Sequence, residues 1–345
     1  MTKETVQLGN VMVPDLAWVA KVTEPALEPD LPIVDPHHHL WQRAGNDYLF
    51  PDLLADTRTG HNIVGTVFVD CHSMYRKDGP AELRCTGETE FANGVAAMSA
   101  SGLYGNLRAC AGIVSHVDLR MGSKAGAVFD AQIAAGNGRF KGIRHQTGWD
   151  ADPGIRNSRT DPTPELTRDK TWRAGFAELA KRDLTFDAWL YHPQLAEIAD
   201  LADAFPATSI VLDHIGGPLG YAGYASRHAE VKATWRKSMA ELAKRQNIVV
   251  KVGGLGMAMG WFDFYQQPTP PGSQALADAF KPWVETCIEL FGVDRCMFES
   301  NFPVDKITSG YGVLWNAFKR LASGASAAEK TALFSGTAER VYRLG

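Results

Sequence analysis

The chain has 345 residues, with 35 lysines and arginines against 39 aspartates and glutamates, a formal net charge of −4 at pH 7. That balance argues against a polybasic nucleic-acid binder, and 45% apolar with 21% charged residues argues against a disordered or fibrous chain. No run approaches the ~18 apolar residues that span a bilayer. The N-terminus has no apolar stretch of signal-peptide length, and Cys71, Cys85, Cys110, Cys287 and Cys296 form no CxxC, so the expectation is a reduced, cytoplasmic chain that meets neither nucleic acid nor membrane.

Residues 1–30, with Pro14, Pro25 and Pro29 among mixed charges, read as an arm laid over the body rather than a domain. From residue 31 to 345 the rhythm changes. Short β-rich runs recur at Ile33–His37, Ile63–Val69, Leu107–Val114, Phe140–Arg144, Leu184–Leu190, Ser209–Asp213, Asn247–Val252 and Arg295–Glu299. Between them lie segments of helical spacing. Leu195, Ile198, Leu201 and Phe205 are stopped by Pro206; Val231, Trp235, Met239 and Leu242 precede the seventh run; Leu276, Phe280, Val284, Cys287 and Phe291 end at Gly292, with a kink expected at Pro282. Eight such units without a polar linker predict an α/β fold closed as a single TIM (β/α)8 barrel rather than an open sheet. Two segments break the rhythm, residues 150–167 and 254–272, each following a strand. Loops at that end of a barrel are candidate lids or substrate walls, ordinary surface loops being the alternative. Trp261, Phe262, Phe264 and Tyr265 suit either a planar substrate face or a contact between copies in a homo-oligomer.

The densest chemical signal is Asp35-Pro36-His37-His38-His39 at the end of the first strand. Period-two geometry puts His37 and His39 on one side, about 6 to 7 Å apart, where two imidazoles can hold a divalent metal or donate to an oxyanion. His214 ends the sixth strand before Gly216 and Gly217, whose backbone is expected to approach a ligand, and supplies a third imidazole for the same mouth. Arg144 and His145 end the fourth strand; the guanidinium suits a substrate carboxylate or enol oxygen, or a carboxylate neighbour across the rim. Lys251 closes an apolar strand, where its charge must be paired or aimed into a wet cavity. Asp187, Tyr191 and His72 are further rim candidates, and His61, His116 and His228 read as structural or solvated. On the eighth strand, alternation puts Glu299 and Asn301 on one side, a carboxylate and an amide beside the histidines.

The blocks DPHHHLW, KGIRHQ, VLDHIGGP, VVKVGGL and MFESNFPVD, in this order, resemble the amidohydrolase-related family, most closely its sugar lactonase and pyrone dicarboxylate lactonase branch. The resemblance runs from about Leu31 to the C-terminus and implies a distorted TIM barrel with its site at the C-terminal strand ends. It maps His37 and His39 onto the family's HxH pair, His214 onto its DHxG histidine, and Arg144 onto a substrate-binding arginine. Asn301 falls where the lactonases carry the aspartate that activates water. Glu299, Asp305 or a histidine must then replace that base, or the reaction is a decarboxylation or other lyase step, or the site binds without turnover. The expectation is a hydrolase opening a lactone of an acidic or hydroxylated small molecule. Because a neutral amide is a poorer zinc ligand than a carboxylate, a Zn²⁺ on His37, His39 and His214 is the alternative rather than an obligatory cofactor.

Overall fold

A computed structural model describes residues 8–345. Eight parallel strands pair in chain order: β1 (Pro32–His38), β2 (Asn62–Val69), β3 (Arg108–Ser115), β4 (Phe140–Arg144), β5 (Thr185–Ala188), β6 (Ile210–Leu212), β7 (Ile248–Val252) and β8 (Cys296–Phe298). The ring closes just past β8, where the Asn301 amide donates to the His37 carbonyl at 2.9 Å and the His39 amide to the Phe302 carbonyl at 2.8 Å. All eight runs expected from sequence are strands. β6 and β8 stop short because His214, Ile215 and Asn301 take left-handed φ values of 52°, 51° and 53°, which no strand continues.

A helix follows each strand: Phe50–Thr57, Thr86–Ala100, Ala125–Gly136, Lys170–Phe176, Leu195–Ala204, His228–Leu242, Ser273–Phe291 and Tyr311–Leu321. The last but one runs on through Pro282, whose carbonyl accepts from the Thr286 hydroxyl at 2.8 Å, and ends at Gly292 with φ 76°. Strand alternation divides the core in two. Ile210, Leu212, Ile248, Val250, Cys296 and Phe298 face the helices, while Val34, Val67, Val211, Val249 and Met297 fill the barrel and meet Tyr342 from the C-terminal helix Thr337–Tyr342. Two residues beyond Val211, Val249 and Met297 the inward layer turns polar with Asp213, Lys251 and Glu299, joined by Arg144 from β4 and Asp187 from β5; all five are buried.

The stretch before β1 crosses the barrel's C-terminal face and its flank. Gly9 N donates to the Ala258 carbonyl at 2.8 Å, Trp18 Nε1 to Gln267 at 2.8 Å, and Lys319 Nζ to the Leu27 and Glu28 carbonyls at 2.7 and 2.8 Å. Residues 254–272 fold back on the barrel instead of standing free. Trp261 stacks on His228 and bonds the Pro218 carbonyl at 3.0 Å, while Phe262 contacts Phe264 and Phe280. No helix among the described residues is long and apolar enough to cross a membrane.

His38 is buried beside Phe68 with its Nε2 2.8 Å from the Thr66 hydroxyl, and burial pushes its pKa down to about 3. The unfolded chain therefore takes up this proton first. The stability His38 confers is complete above its ordinary 6.5 and is lost as pH falls from there toward 3, by up to about 1.4 kcal/mol per pH unit. Urea midpoints measured at pH 7 and pH 5 are expected to fall less in His38→Gln than in the unsubstituted chain.

Candidate active site

The polar layer is a closed electrostatic network. Lys251 Nζ lies 2.6 Å from Asp187 and 3.2 Å from Asp213; Arg144 Nε lies 2.7 Å from Asp70, and its Nη1 3.2 Å from Asp213. Tyr342 at the barrel floor donates to Asp187 at 2.7 Å. Burial alone would discharge Lys251, but Asp187 and Asp213 hold its pKa above the ordinary value. Arg144 is likewise held charged against burial by Asp70 and Asp213.

His37 sits at the centre of this layer. Its Nδ1 is 3.0 Å from Glu299, 3.5 Å from Asp213 and 3.2 Å from Lys251; its Nε2 is 3.3 Å from both His39 Nε2 and Arg144 Nη1. Burial, then Lys251, lowers its pKa, while Asp213 and Glu299 work in the opposite direction. The His39 Nδ1 lies 2.8 Å from the Val69 carbonyl, and burial together with His37 and Arg144 lowers its pKa well below the usual range. The neutral ring therefore carries its proton on Nδ1 and offers an Nε2 lone pair. His214 Nδ1 lies 2.7 Å from Glu299, which also accepts from the His214 backbone N at 3.1 Å. Burial raises the Glu299 pKa, but His214 and His37 outweigh it and bring it down to about 2. The VGGL block makes room for this pair: a Cβ on Gly254, whose φ is 65°, would lie 2.5 Å from the His214 ring, and one on Gly253 2.5 Å from the Glu299 side chain.

Above the layer opens a cavity of about 120 Å³. His39, Arg144, His214, Asn301 and Tyr191 line it, so the structure brings these residues together. His37, Glu299 and Lys251 lie directly beneath. Asn301 donates from Nδ2 to buried Asp305 at 2.7 Å, and Asp305 also accepts from Gly256 N at 2.8 Å. Burial raises the Asp305 pKa to about 7. An aspartate at 301 would face this carboxyl at hydrogen-bond distance, which the amide avoids.

Other expected residues lie elsewhere. The His145 ring turns toward His116 and Trp172, and its Nδ1 accepts from Leu119 N at 3.2 Å. His72 opens onto a second cleft. Lys251 is spent on Asp187 and Asp213 beneath the floor, out of a ligand's reach. Gly216 and Gly217 approach Leu195 and Leu190 rather than the cavity, because the chain turns sharply there. Of residues 254–272, it is Met257, Ala258 and Met259 that reach the cavity wall; the aromatic group Trp261 to Tyr265 does not. Sequence reasoning missed Asp70, Asp213, Arg43 and the cavity-lining Gly9, Asn10 and Val11. Arg156 and Arg159 also line the wall and belong to the loop at 150–167 that the interrupted rhythm had marked.

Residues 34–344 match the family described as amidohydrolase. The chain belongs to the amidohydrolase family. It is 34% identical over 342 residues to the protein y4mH of Sinorhizobium fredii, covering 91% of this chain and 99% of that one. It is 29% identical over 211 residues to an L-fucono-1,5-lactonase of Burkholderia multivorans, covering 60% of this chain and 64% of that enzyme. A crystal structure of a Burkholderia multivorans amidohydrolase with bound zinc superposes with a TM-score of 0.69 at 25% identity, covering 91% of this chain and 99% of that one. The chain is accordingly an enzyme of the hydrolase class built on a TIM barrel.

Removing one partner of a buried ion pair leaves the other charge stranded. Lys251→Met leaves Asp187 with the Tyr342 hydroxyl but no cation and Asp213 with Arg144 alone, and is expected to cost about 3–5 kcal/mol in urea unfolding. The double variant Lys251→Met with Asp187→Asn is expected to recover part of that loss, which a double-mutant cycle reads directly.

Proposed function

We propose that this enzyme hydrolyses a lactone or similar cyclic ester carrying a carboxylate. The observation that supports this best is His214, backed by buried Glu299, on the wall of a cavity whose lining, among the described residues, includes four arginines and no aspartate or glutamate. The relative named L-fucono-1,5-lactonase supports the ring-opening reaction.

In this reading Glu299 holds the proton of His214 on Nδ1, so that Nε2 accepts a proton from water. The resulting hydroxide attacks the ester carbonyl. Arg144, fixed by Asp70 and Asp213 before substrate arrives, meets the negative charge that develops on the carbonyl oxygen. As the tetrahedral intermediate collapses, the C–O bond to the ring oxygen breaks and His214 returns its proton to that oxygen. The products are a hydroxyl and a carboxylic acid, which ionises to the carboxylate and releases one proton to solvent. Asn301, anchored by Asp305, orients the water and takes no proton. His39 serves as an acceptor rather than an oxyanion donor, because its Nδ1 is committed to Val69.

The His37 and His39 Nε2 atoms, 3.3 Å apart, fit two ligands of one divalent ion, for which about 3.4 Å is the tetrahedral edge at Zn–N bonds near 2.1 Å. His214 does not join them: the nearby group of ligand atoms within 4.8 Å is His37, His214 and Glu299, among the described residues. An ion on that pair would add Lewis-acid polarisation of the carbonyl. Arg144 Nη1, 3.3 Å from His37 Nε2, already holds a fixed positive charge at this point, so no metal is obligatory in this proposal.

Arg43, Arg156 and Arg159 carry the substrate assignment. None has a carboxylate within ion-pair distance among the described residues; Arg43 and Arg159 donate instead to the Cys71 carbonyl, at 2.9 and 2.8 Å. A substrate carboxylate supplies the missing counter-charge.

A panel of neutral aldonolactones and acidic lactones, read by proton release, tests the proposal. Acidic members are expected to turn over faster, and Arg159→Ala to lower kcat/KM for them about 10- to 100-fold with little effect on neutral members. His214→Ala and Glu299→Gln are expected to lower kcat by about 10² to 10⁴ with KM nearly unchanged, and dialysis against chelator to leave the rate intact. No release from any lactone, or wild-type rates in His214→Ala, overturns the assignment.

A further inference from the structure

On the far side of Arg144 from the cavity lies a second constellation, of which the proposed chemistry uses only the Asp70 oxygen that holds Arg144. A cleft of about 430 Å³ opens between the start of the β2–β3 connection and the end of β3, with His72, Tyr75, His116 and Asp118 on its wall. At its floor one ligand atom each from Asp70, His72 and His116 lies within 4.8 Å of the others.

Two features set this group apart from an ordinary hydrogen-bonded cluster. The first is a local deficit of partners. Asp70 is fully buried, and while its Oδ1 takes the Arg144 Nε proton at 2.7 Å, its Oδ2 has no hydrogen-bond partner. His72 Nδ1 faces that oxygen at 3.2 Å, so each of the two atoms has only the other opposite it. The neighbouring Glu88 Oε2 and Tyr75 hydroxyl are buried without partners as well. Buried polar atoms of this kind are costly to leave unmet, and an ion in the cleft would meet them. The second is tautomer control. His116 Nδ1 lies 3.1 Å from the Arg144 carbonyl, and donating there leaves Nε2 as a lone pair. A backbone carbonyl or carboxylate behind a metal-bound histidine does this same work.

We propose that Asp70, His72 and His116 bind a divalent transition-metal ion, with the open cleft providing its remaining positions to water or an external ligand. Two imidazoles and one carboxylate on one side of an accessible site suit zinc, cobalt, iron or manganese rather than calcium or magnesium, whose ligands are oxygens. The site also has a route to the cavity. Asp70 would bind the ion through Oδ2 and Arg144 through Oδ1, so occupancy would fix the carboxylate that aims the guanidinium.

The test uses the full chain, stripped with chelator, loaded with Zn²⁺ or Co²⁺ and dialysed. Crystals soaked in Zn²⁺ are expected to show an anomalous peak between Asp70, His72 and His116, whether or not a second peak lies at His37 and His39. In solution, His72→Ala and His116→Ala are each expected to weaken retention of one metal equivalent at least 10-fold, while His39→Ala leaves that equivalent in place. A map with no peak at this floor, or one with the peak at His37 and His39 alone, overturns the proposal. So does full retention in both His72→Ala and His116→Ala. Because the map needs no substitution, a variant that fails to fold does not decide the outcome.

Discussion

Lys251 is the constraint around which the barrel is arranged. An ammonium group taken from water into a barrel interior costs several kcal/mol, and attraction to a single carboxylate seldom recovers that. Here two carboxylates meet it, Asp187 and Asp213, and each is then tied elsewhere: Asp187 to the Tyr342 hydroxyl below and Asp213 to Arg144 across the ring. The C-terminal helix, β4, β5, β6 and β7 are thereby fixed to one another by charge at the level where the apolar core ends. Because strands alternate, each of these residues lies two positions beyond an inward-facing residue, so the same backbone that packs Val211, Val249 and Met297 delivers Asp213, Lys251 and Glu299.

The site inherits its geometry from that layer. His37 is flanked by cations and carboxylates alike, Lys251 and Glu299 at Nδ1 and Arg144 at Nε2, so its ring has little freedom to turn. Behind it, Asp35 accepts from the Ser300 amide and hydroxyl and from the Tyr311 hydroxyl, which pins the end of β1 against the turn that presents Asn301. Burial nonetheless raises the Asp35 pKa to about 6. Left-handed backbone at His72, His214 and Asn301 completes the picture: non-glycine residues in that region carry strain of order 1–3 kcal/mol, which the surrounding packing must hold in place.

The fold was legible because it is local. β-branched runs and 3-4 spacing mark strands and helices one element at a time, and eight repeats leave little choice of topology. His37, His39, His214, Arg144 and Asn301 were legible for a related reason: each follows a strand, and parallel strands of a barrel present their C-terminal ends to one mouth. What the sequence concealed depends on distance across the ring. Asp70 and Asp213 look like ordinary acidic residues until Arg144 and Lys251 are placed beside them. His145 adjoins Arg144 in sequence and so faces the other way, a consequence of alternation that its proximity to a site residue disguised. The aromatic run after Trp261 illustrates the opposite error, since exposed-looking rings on a long loop were buying burial against Trp283 and Phe280 rather than meeting a ligand.

Charge is segregated by depth, and this separates the two roles the site must play. The formal charge of the whole chain is −4, yet the cavity wall, among the described residues, has arginines and histidines and no carboxylate. The acids are beneath it, where Asp70, Asp187, Asp213 and Glu299 are buried and engaged by cations or histidines. A reversed arrangement would repel an anionic substrate and leave Arg144 free to swing toward solvent. As built, the deep carboxylates orient the groups that do chemistry, and the shallow guanidiniums, lacking carboxylate partners of their own, are left to recognise what enters.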